Sequence, residues 1–279
     1  MLTAAELKSF LRAHRLGLSK RLGQHHLVDA ASIERLVGSC PLTRRDTVVE
    51  IGAGLGALTE PLARRAGHVV AIEIDQPICA LLAQRMRAQP NVSVVCQDIL
   101  AFSWERTAGA MVVGAIPYHI TSAVIVSLCE ARAVVKEAWL LVQRELAERL
   151  VAVPGTKAYG RLSVLCQYSW RVSQVMRVSR RAFFPQPTVD SSWVRLARRQ
   201  APAVTIRDEH LLFDVVKAAF SQRRKTLANC LSRAGLATRS QAERLLDEQG
   251  LPAPVRGEAL SLEQFASLSN ALQCMKSLC

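Results

Sequence analysis

The short, mostly apolar run Thr47-Val48-Val49-Glu50-Ile51 leads straight into Gly52-Ala53-Gly54-Leu55-Gly56, and the helically spaced stretch ALTEPLARRAG then runs as far as Gly67. A buried strand that enters a glycine cluster and leaves as a helix leaves few folds open. Glycines there let the backbone turn sharply and approach a ligand with no Cβ in the way. Such a strand needs parallel neighbours and helices on both faces, so the rest of the chain must supply them.

It does. His68–Glu73 reads as a second strand, Pro77–Ala88 as a helix, Val92–Cys96 as a third strand and Met111–Gly114 as a fourth. Strands alternating with helices predict right-handed βαβ units and a mainly parallel, doubly wound sheet. Ala138–Val142, Ser163–Tyr168 and Ser192–Leu196 look like further strands, and an amphipathic stretch at Ser32–Val37 precedes the first. Composition changes after Leu196. ARRQAPAV is a basic, proline-containing link, and from about Arg207 onward only helical periodicity appears. The pattern predicts a Rossmann-like α/β domain over residues 1–198 and a small, basic α-helical domain over 199–279.

Two acidic residues mark where a ligand lies. Glu73 closes the second strand about twenty positions after the glycines, where a carboxylate can accept hydrogen bonds from both hydroxyls of a ribose. Asp98, in Gln97-Asp98-Ile99, closes the third strand. There a carboxylate can take an adenine exocyclic amine while apolar neighbours sandwich the ring. The glycines alone leave a dinucleotide open, but no partner for a pyrophosphate is evident, and the three elements in register favour a single adenosyl group. After the fourth strand comes Gly114-Ala115-Ile116-Pro117-Tyr118, at the end of the sheet where ligands bind. Pro117 stiffens this turn. Tyr118 could stack on a planar base, worth about 1–3 kcal/mol, or could be a packed tyrosine at a strand end.

The formal net charge of +13 is unusual for an enzyme of small neutral molecules. It suits a polyanion, because each phosphate neutralised by Lys or Arg releases a condensed counterion. The eight cysteines form no CxxC pair and mostly sit in apolar runs, as small core residues in a reducing compartment do. A zinc site and bound metal are not expected. No apolar stretch reaches the roughly 18 uncharged residues of a bilayer span. The basic N-terminus lacks a signal peptide's apolar centre, and the structured pattern begins near Gly17. These features predict a cytoplasmic protein.

Ordered along almost the whole chain, SKRLGQHHLVD, VVEIGAGLGALTEPL, Gln97-Asp98, AIPYHIT, VQRELAERL, TKAYGRLSVLCQY, AFFPQPTVDSSWVRL and AFSQRRKTLANCL resemble the rRNA adenine N6-dimethyltransferases. They are also similar to the erythromycin-resistance rRNA methylases. The resemblance implies a class I methyltransferase fold, S-adenosylmethionine as cofactor, and small-subunit rRNA in an assembling subunit as partner of a monomeric enzyme. It implies that His25, Leu27, Gly52, Gly54, Gly56, Glu73, Ile74, Asp98, Ile99 and Ala115 hold the cofactor. Tyr118 and Phe183 would sandwich a flipped adenine, with Pro117 in the same catalytic turn and the Ile116 carbonyl accepting from the N6 amine. Arg149, Arg223, Arg224 and Lys225 would meet RNA phosphates.

This chain departs from the family in its motifs. The family has Asn, or a close equivalent, where Ala115 stands, Asn where His25 stands, and an aromatic where His26 stands. The amide oxygen at position 115 accepts from the target amine in the family, and losing such a positioned bond costs about 2.7–4 kcal/mol by analogy with an oxyanion-hole donor. Two other readings follow from Ala115: a binding factor for ribosome assembly, and an enzyme turned to a small molecule. The charge and the retained AFSQRRKTLANCL motif favour RNA; the acidic pair favours an enzyme.

Overall fold

The computed structural model describes residues 3–14, 16, 25–222, 224–252 and 254–277. Arg223 and the SKRLGQ stretch at 19–24 lie outside the described residues. The chain divides into two compact units, one of residues 1–147 and 172–198, the other of residues 148–171 and 199–279. Residues 148–171 thus belong with the helical unit, which they join through its own core.

In the first unit, the strands are β1 (His26–Leu27), β2 (Thr47–Ile51), β3 (His68–Glu73), β4 (Val92–Cys96), β5 (Met111–Ala115), β6 (Glu137–Gln143), β7 (Trp170–Val178, which starts at the unit border), β8 (Phe183–Phe184) and β9 (Ser191–Arg198). Seven of them form one sheet in the order β4-β3-β2-β5-β6-β9-β7. The first five are parallel and β9 runs antiparallel to β6. The run of apolar residues in β2, β5 and β6 follows from this topology: a parallel strand between two helical layers is buried on both faces. Val48, Val49, Val112, Val113, Leu140 and Val142 are all fully buried.

The chain travels outward from β2 through β3 to β4, then returns to lay β5 on the other side of β2. The reversal opens a crevice at the carboxyl ends of β2 and β5, and ligands of open α/β sheets bind in such a crevice. Gly114 lets the two strands meet there. It pairs with Ile51, and a Cβ on it would stand 2.9 Å from Ile51 Cβ and 3.0 Å from the Ile51 carbonyl oxygen.

β1 and β8 form a separate ribbon, with His26 opposite Phe184 and Leu27 opposite Phe183. The helix Ala4–Ala13, absent from the sequence pattern, starts with a capping box in which Thr3 and Glu6 exchange hydrogen bonds. Its Leu7 and Leu11 pack with Leu55 and Ile78.

One expected strand is a helix. Ser163–Tyr168 lies within the helix Arg161–Ser169. A six-residue apolar run does not by itself separate a strand from a buried helix. Here the surroundings decide: Val164 and Tyr168 enter the core of the helical unit, beside Leu212, Leu246 and Phe265. The side-chain amide of Gln167 also donates to the carbonyls of Leu150 and Ala152. The strand that does occupy this region, β7, alternates exposed Arg171, Ser173, Val175 and Arg177 with more buried neighbours.

In the second unit, helices Glu209–Ala219, Leu227–Arg233, Arg239–Glu248 and Leu262–Ser277 close over that core. Among the described residues no helix is long and apolar enough to cross a membrane.

Candidate active site

A cleft in the first unit opens at the ends of β2 and β5. It is lined by His25, His26, Gly52, Gly54, Glu73, Ile74, Asp98, Ile99, Ala115, Ile116, Pro117, Tyr118 and Phe183, with Ile51, Ile72, Gln97, Ile120, Leu141 and Ser191. Its space, counting the open mouth, is about 860 Å³.

The floor is the glycine turn. The backbone N–H groups of Gly52 and Ala53 both donate to the Ile72 carbonyl at 3.0 Å, which fastens the turn to β3. Gly52 and Gly54 have φ of +69° and +54°, the left-handed region that side chains rarely adopt. A Cβ on Gly52 would come 3.2 Å from the Ala115 carbonyl oxygen, and one on Gly54 would come 3.0 Å from His26 Nδ1. The two glycines therefore keep the cradle open. Gly56 does something else: a Cβ there would meet Leu82 and Met86, so it faces the packed helix Gln76–Arg85 and does not line the cleft. This is close helix–strand packing. Leu27 is also off the cleft, buried beside a small apolar pocket with Leu7, Val28 and Leu55.

Glu73 ends β3 with 7% of its surface exposed. Its Oε2 accepts from Gly54 N–H at 2.8 Å, and its Oε1 accepts from Ile74 and Asp75 N–H at 2.9 and 3.0 Å. Three backbone donors thus hold a charged acceptor at the cleft wall, and a carboxylate has about four lone-pair sites. Asp98 caps the short turn Ile99–Ala101 by accepting from Leu100 N–H at 2.9 Å. Between these acids Ile74 stays 48% exposed while Ile99 is buried. An isoleucine left open at a cleft wall offers a flat apolar ring something to cover.

Behind the turn, Glu50 is 1% exposed, and burial pushes its carboxyl up to about 8, with the charge of Glu73 adding to the push and Thr59 opposing it.

The rim is aromatic. The Tyr118 hydroxyl pairs with Ser191 Oγ at 2.9 Å, and burial moves its pKa upward, with Ser191 pulling the other way. The β1–β8 ribbon carries Phe183, only 6% exposed, and His25 directly precedes its first strand. The His25 ring lies 5.9 Å from that of Tyr118, centroid to centroid, tilted by 30°. Its Nδ1 sits 2.7 Å from the Pro185 carbonyl oxygen. His26 is half-buried against the glycine turn. Burial brings its pKa down to about 4, His25 pushing the same way and Asp75 opposing, and its Nε2 has no hydrogen-bond partner among the described residues.

Ile51, Ile72, Gln97, Ile120, Leu141 and Ser191 were not expected to line the cleft. Gln97 follows from its neighbour Asp98. Ser191 arrives through long-range strand pairing, which leaves no local signal. In the second unit Arg224 and Lys225 are exposed, and Arg149 is half-buried in the helix Arg144–Leu150.

A glycine cradle with an acid on each of the next two strands, at the switch point of a doubly wound sheet, defines a class I methyltransferase. The model of the ribosomal RNA adenine dimethylase family matches residues 16–273. The chain belongs to that family. It is 40% identical, over 97% of its length and 96% of the relative's, to a ribosomal RNA small subunit methyltransferase A of Geobacillus thermodenitrificans. A protein of the same description from Bacillus mycoides is 41% identical over the same shares. Among solved structures, a dimethyladenosine transferase from Plasmodium falciparum matches with a TM-score of 0.75 and 25% identity, covering 86% of this chain and 94% of the other. The 23S rRNA methyltransferase ErmE matches with a TM-score of 0.67 and 30% identity, covering 88% and 99%. The chain is a methyltransferase that takes its methyl group from S-adenosylmethionine.

Proposed function

We propose that this enzyme methylates the N6 amine of adenine in small-subunit rRNA. The observation that carries the reading is the identity of about 40% over 97% of the chain to proteins described as small-subunit rRNA methyltransferases, joined to a cleft with an acid-lined end and an aromatic end.

The cradle fits the cofactor. Gly52 and Gly54 leave room for its methionine part, Glu73 takes the ribose hydroxyls, and Asp98 takes the adenine amine with Ile74 and Ile99 on the ring faces. His25 borders the same pocket. When bound, the cofactor supplies an electrophilic methyl group on a sulfonium. Tyr118 and Phe183 hold the target base, Pro117 keeps Tyr118 aimed, and the Ile116 carbonyl accepts from the amine. Alignment and exclusion of water do most of the work, because an in-line displacement needs proximity more than a strong base. Arg149, Arg223, Arg224 and Lys225 meet backbone phosphates, and the excess of basic residues supports a polyanionic partner. The helical unit is the RNA-holding part. The enzyme works as a monomer in the cytoplasm.

Incubation with labelled S-adenosylmethionine and unmethylated small ribosomal subunits tests this. Label in rRNA adenines is expected. Cofactor and subunit binding without label, or label only in a small-molecule extract, would overturn it.

A further inference from the structure

Methylation of an exocyclic amine releases a proton, and the cleft must give it somewhere to go. The acceptors at the acidic end are far from the base. Gln97 and Asp98 follow the end of β4, and β4 lies three strand positions from β5, or about 14 Å at ordinary strand spacing. Glu73 ends β3, two positions away, and already holds three backbone N–H groups. Beside Tyr118, Ser191 Oγ is paired with the tyrosine hydroxyl. Ala115 has no side-chain acceptor, and its carbonyl faces the glycine turn, 3.2 Å from where a Cβ on Gly52 would stand. A peptide carbonyl can accept a hydrogen bond but does not take up a proton.

His25 is different. A carbonyl only accepts, so the 2.7 Å contact with Pro185 makes Nδ1 the donor and leaves Nε2 of the neutral ring as an acceptor. The ring lines the cleft and lies 5.9 Å from the Tyr118 ring. Orientation of a base by a hydrogen bond to its other nitrogen is how general bases are commonly held. His26 cannot substitute, because its Nε2 is buried.

We propose that His25 is a catalytic residue whose Nε2 accepts the hydrogen bond of the target adenine amine and takes the proton that the amine sheds. This rests on the methyl-transfer reading above. The N6 lone pair forms the bond to the methyl carbon as the sulfur–carbon bond breaks, its electron pair staying on sulfur. The nitrogen, now cationic, passes one proton to His25 Nε2. The imidazolium keeps its Nδ1–H on Pro185 and returns the Nε2 proton to water as product leaves. His25 thus supplies from the ribbon the acceptor that Ala115 does not supply from β5.

Two measurements test it. In single turnovers with saturating cofactor, H25A should transfer methyl at least tenfold more slowly, general acid–base catalysis being worth about 10²–10⁴-fold. Its affinity for S-adenosylhomocysteine, measured by calorimetry, sets the cofactor concentration that keeps those turnovers saturated, so that a weaker hold on the cofactor does not enter the rate. Imidazole in the buffer, or A115N added to H25A, should restore part of the rate. An unchanged rate at saturating cofactor would overturn the proposal. The second measurement uses the parent protein with S-adenosylhomocysteine and ¹⁵N-labelled histidine. Adenosine at millimolar concentration should move the His25 Nε2 resonance, and inosine, whose O6 offers no donor, should not. Equal responses, or none, refute the assignment. Parent protein that leaves rRNA unlabelled yet shows the adenosine-specific shift would sink the rRNA reading and leave this one standing.

Discussion

Replacing Glu50 by glutamine isolates the charge that the fold keeps out of water behind the glycine turn. The carboxyl is raised from its ordinary 4.5 to about 8 by burial, with Glu73 adding and Thr59 opposing. Below pH 4.5 the group is protonated in folded and unfolded chains alike, so its full contribution is present. Between 4.5 and about 8 the unfolded chain ionises while the folded one keeps its proton, and stability falls as pH rises. Above about 8 the loss is complete. At about 1.36 kcal/mol per pH unit, the interval corresponds to about 5 kcal/mol. Glutamine keeps the shape and cannot ionise. Urea titrations of parent and E50Q from pH 4.5 to 8.5 should therefore show E50Q gaining on the parent by that order, other titrating groups cancelling in the difference. Parallel stability curves, within about 1 kcal/mol, would show that Glu50 ionises freely and that the argument from its burial is wrong.

E73Q should weaken S-adenosylhomocysteine binding by roughly 10- to 100-fold in calorimetry, since a hydrogen bond to a charged group is worth about 1.5–3 kcal/mol. G114A puts a Cβ 2.9 Å from Ile51 Cβ and should lower stability by about 1–3 kcal/mol in thermal melts. R224A and K225A, both on exposed side chains, should each reduce the salt slope of rRNA binding by about one without changing cofactor affinity.

The parallel core was legible because burial on both faces turns strands such as β2 and β5 into short apolar runs between turn signals. Gly52, Glu73 and Asp98 were legible because one sheet register sets their spacing. Tyr118 could be placed at a strand end but not assigned a partner until Ser191 came beside it. The two-residue strands β1 and β8 left no pattern, since each is too short for a period and they pair across more than 150 positions. The helix at Arg161–Ser169 was misread because a run of six gives too few turns to show its period, and the neighbours that decide it are distant in sequence.

That ribbon sets an order of events. One wall of the cleft is made by a segment near the start of the chain, His25–Leu27, gripping one made late, Phe183–Pro185. On the ribosome the glycine turn and both acids emerge long before that grip can close. A nascent chain stopped short of Phe183 would own the glycine turn and both acids and still lack this wall of the cleft. The cleft is complete only when most of the first unit has been synthesised.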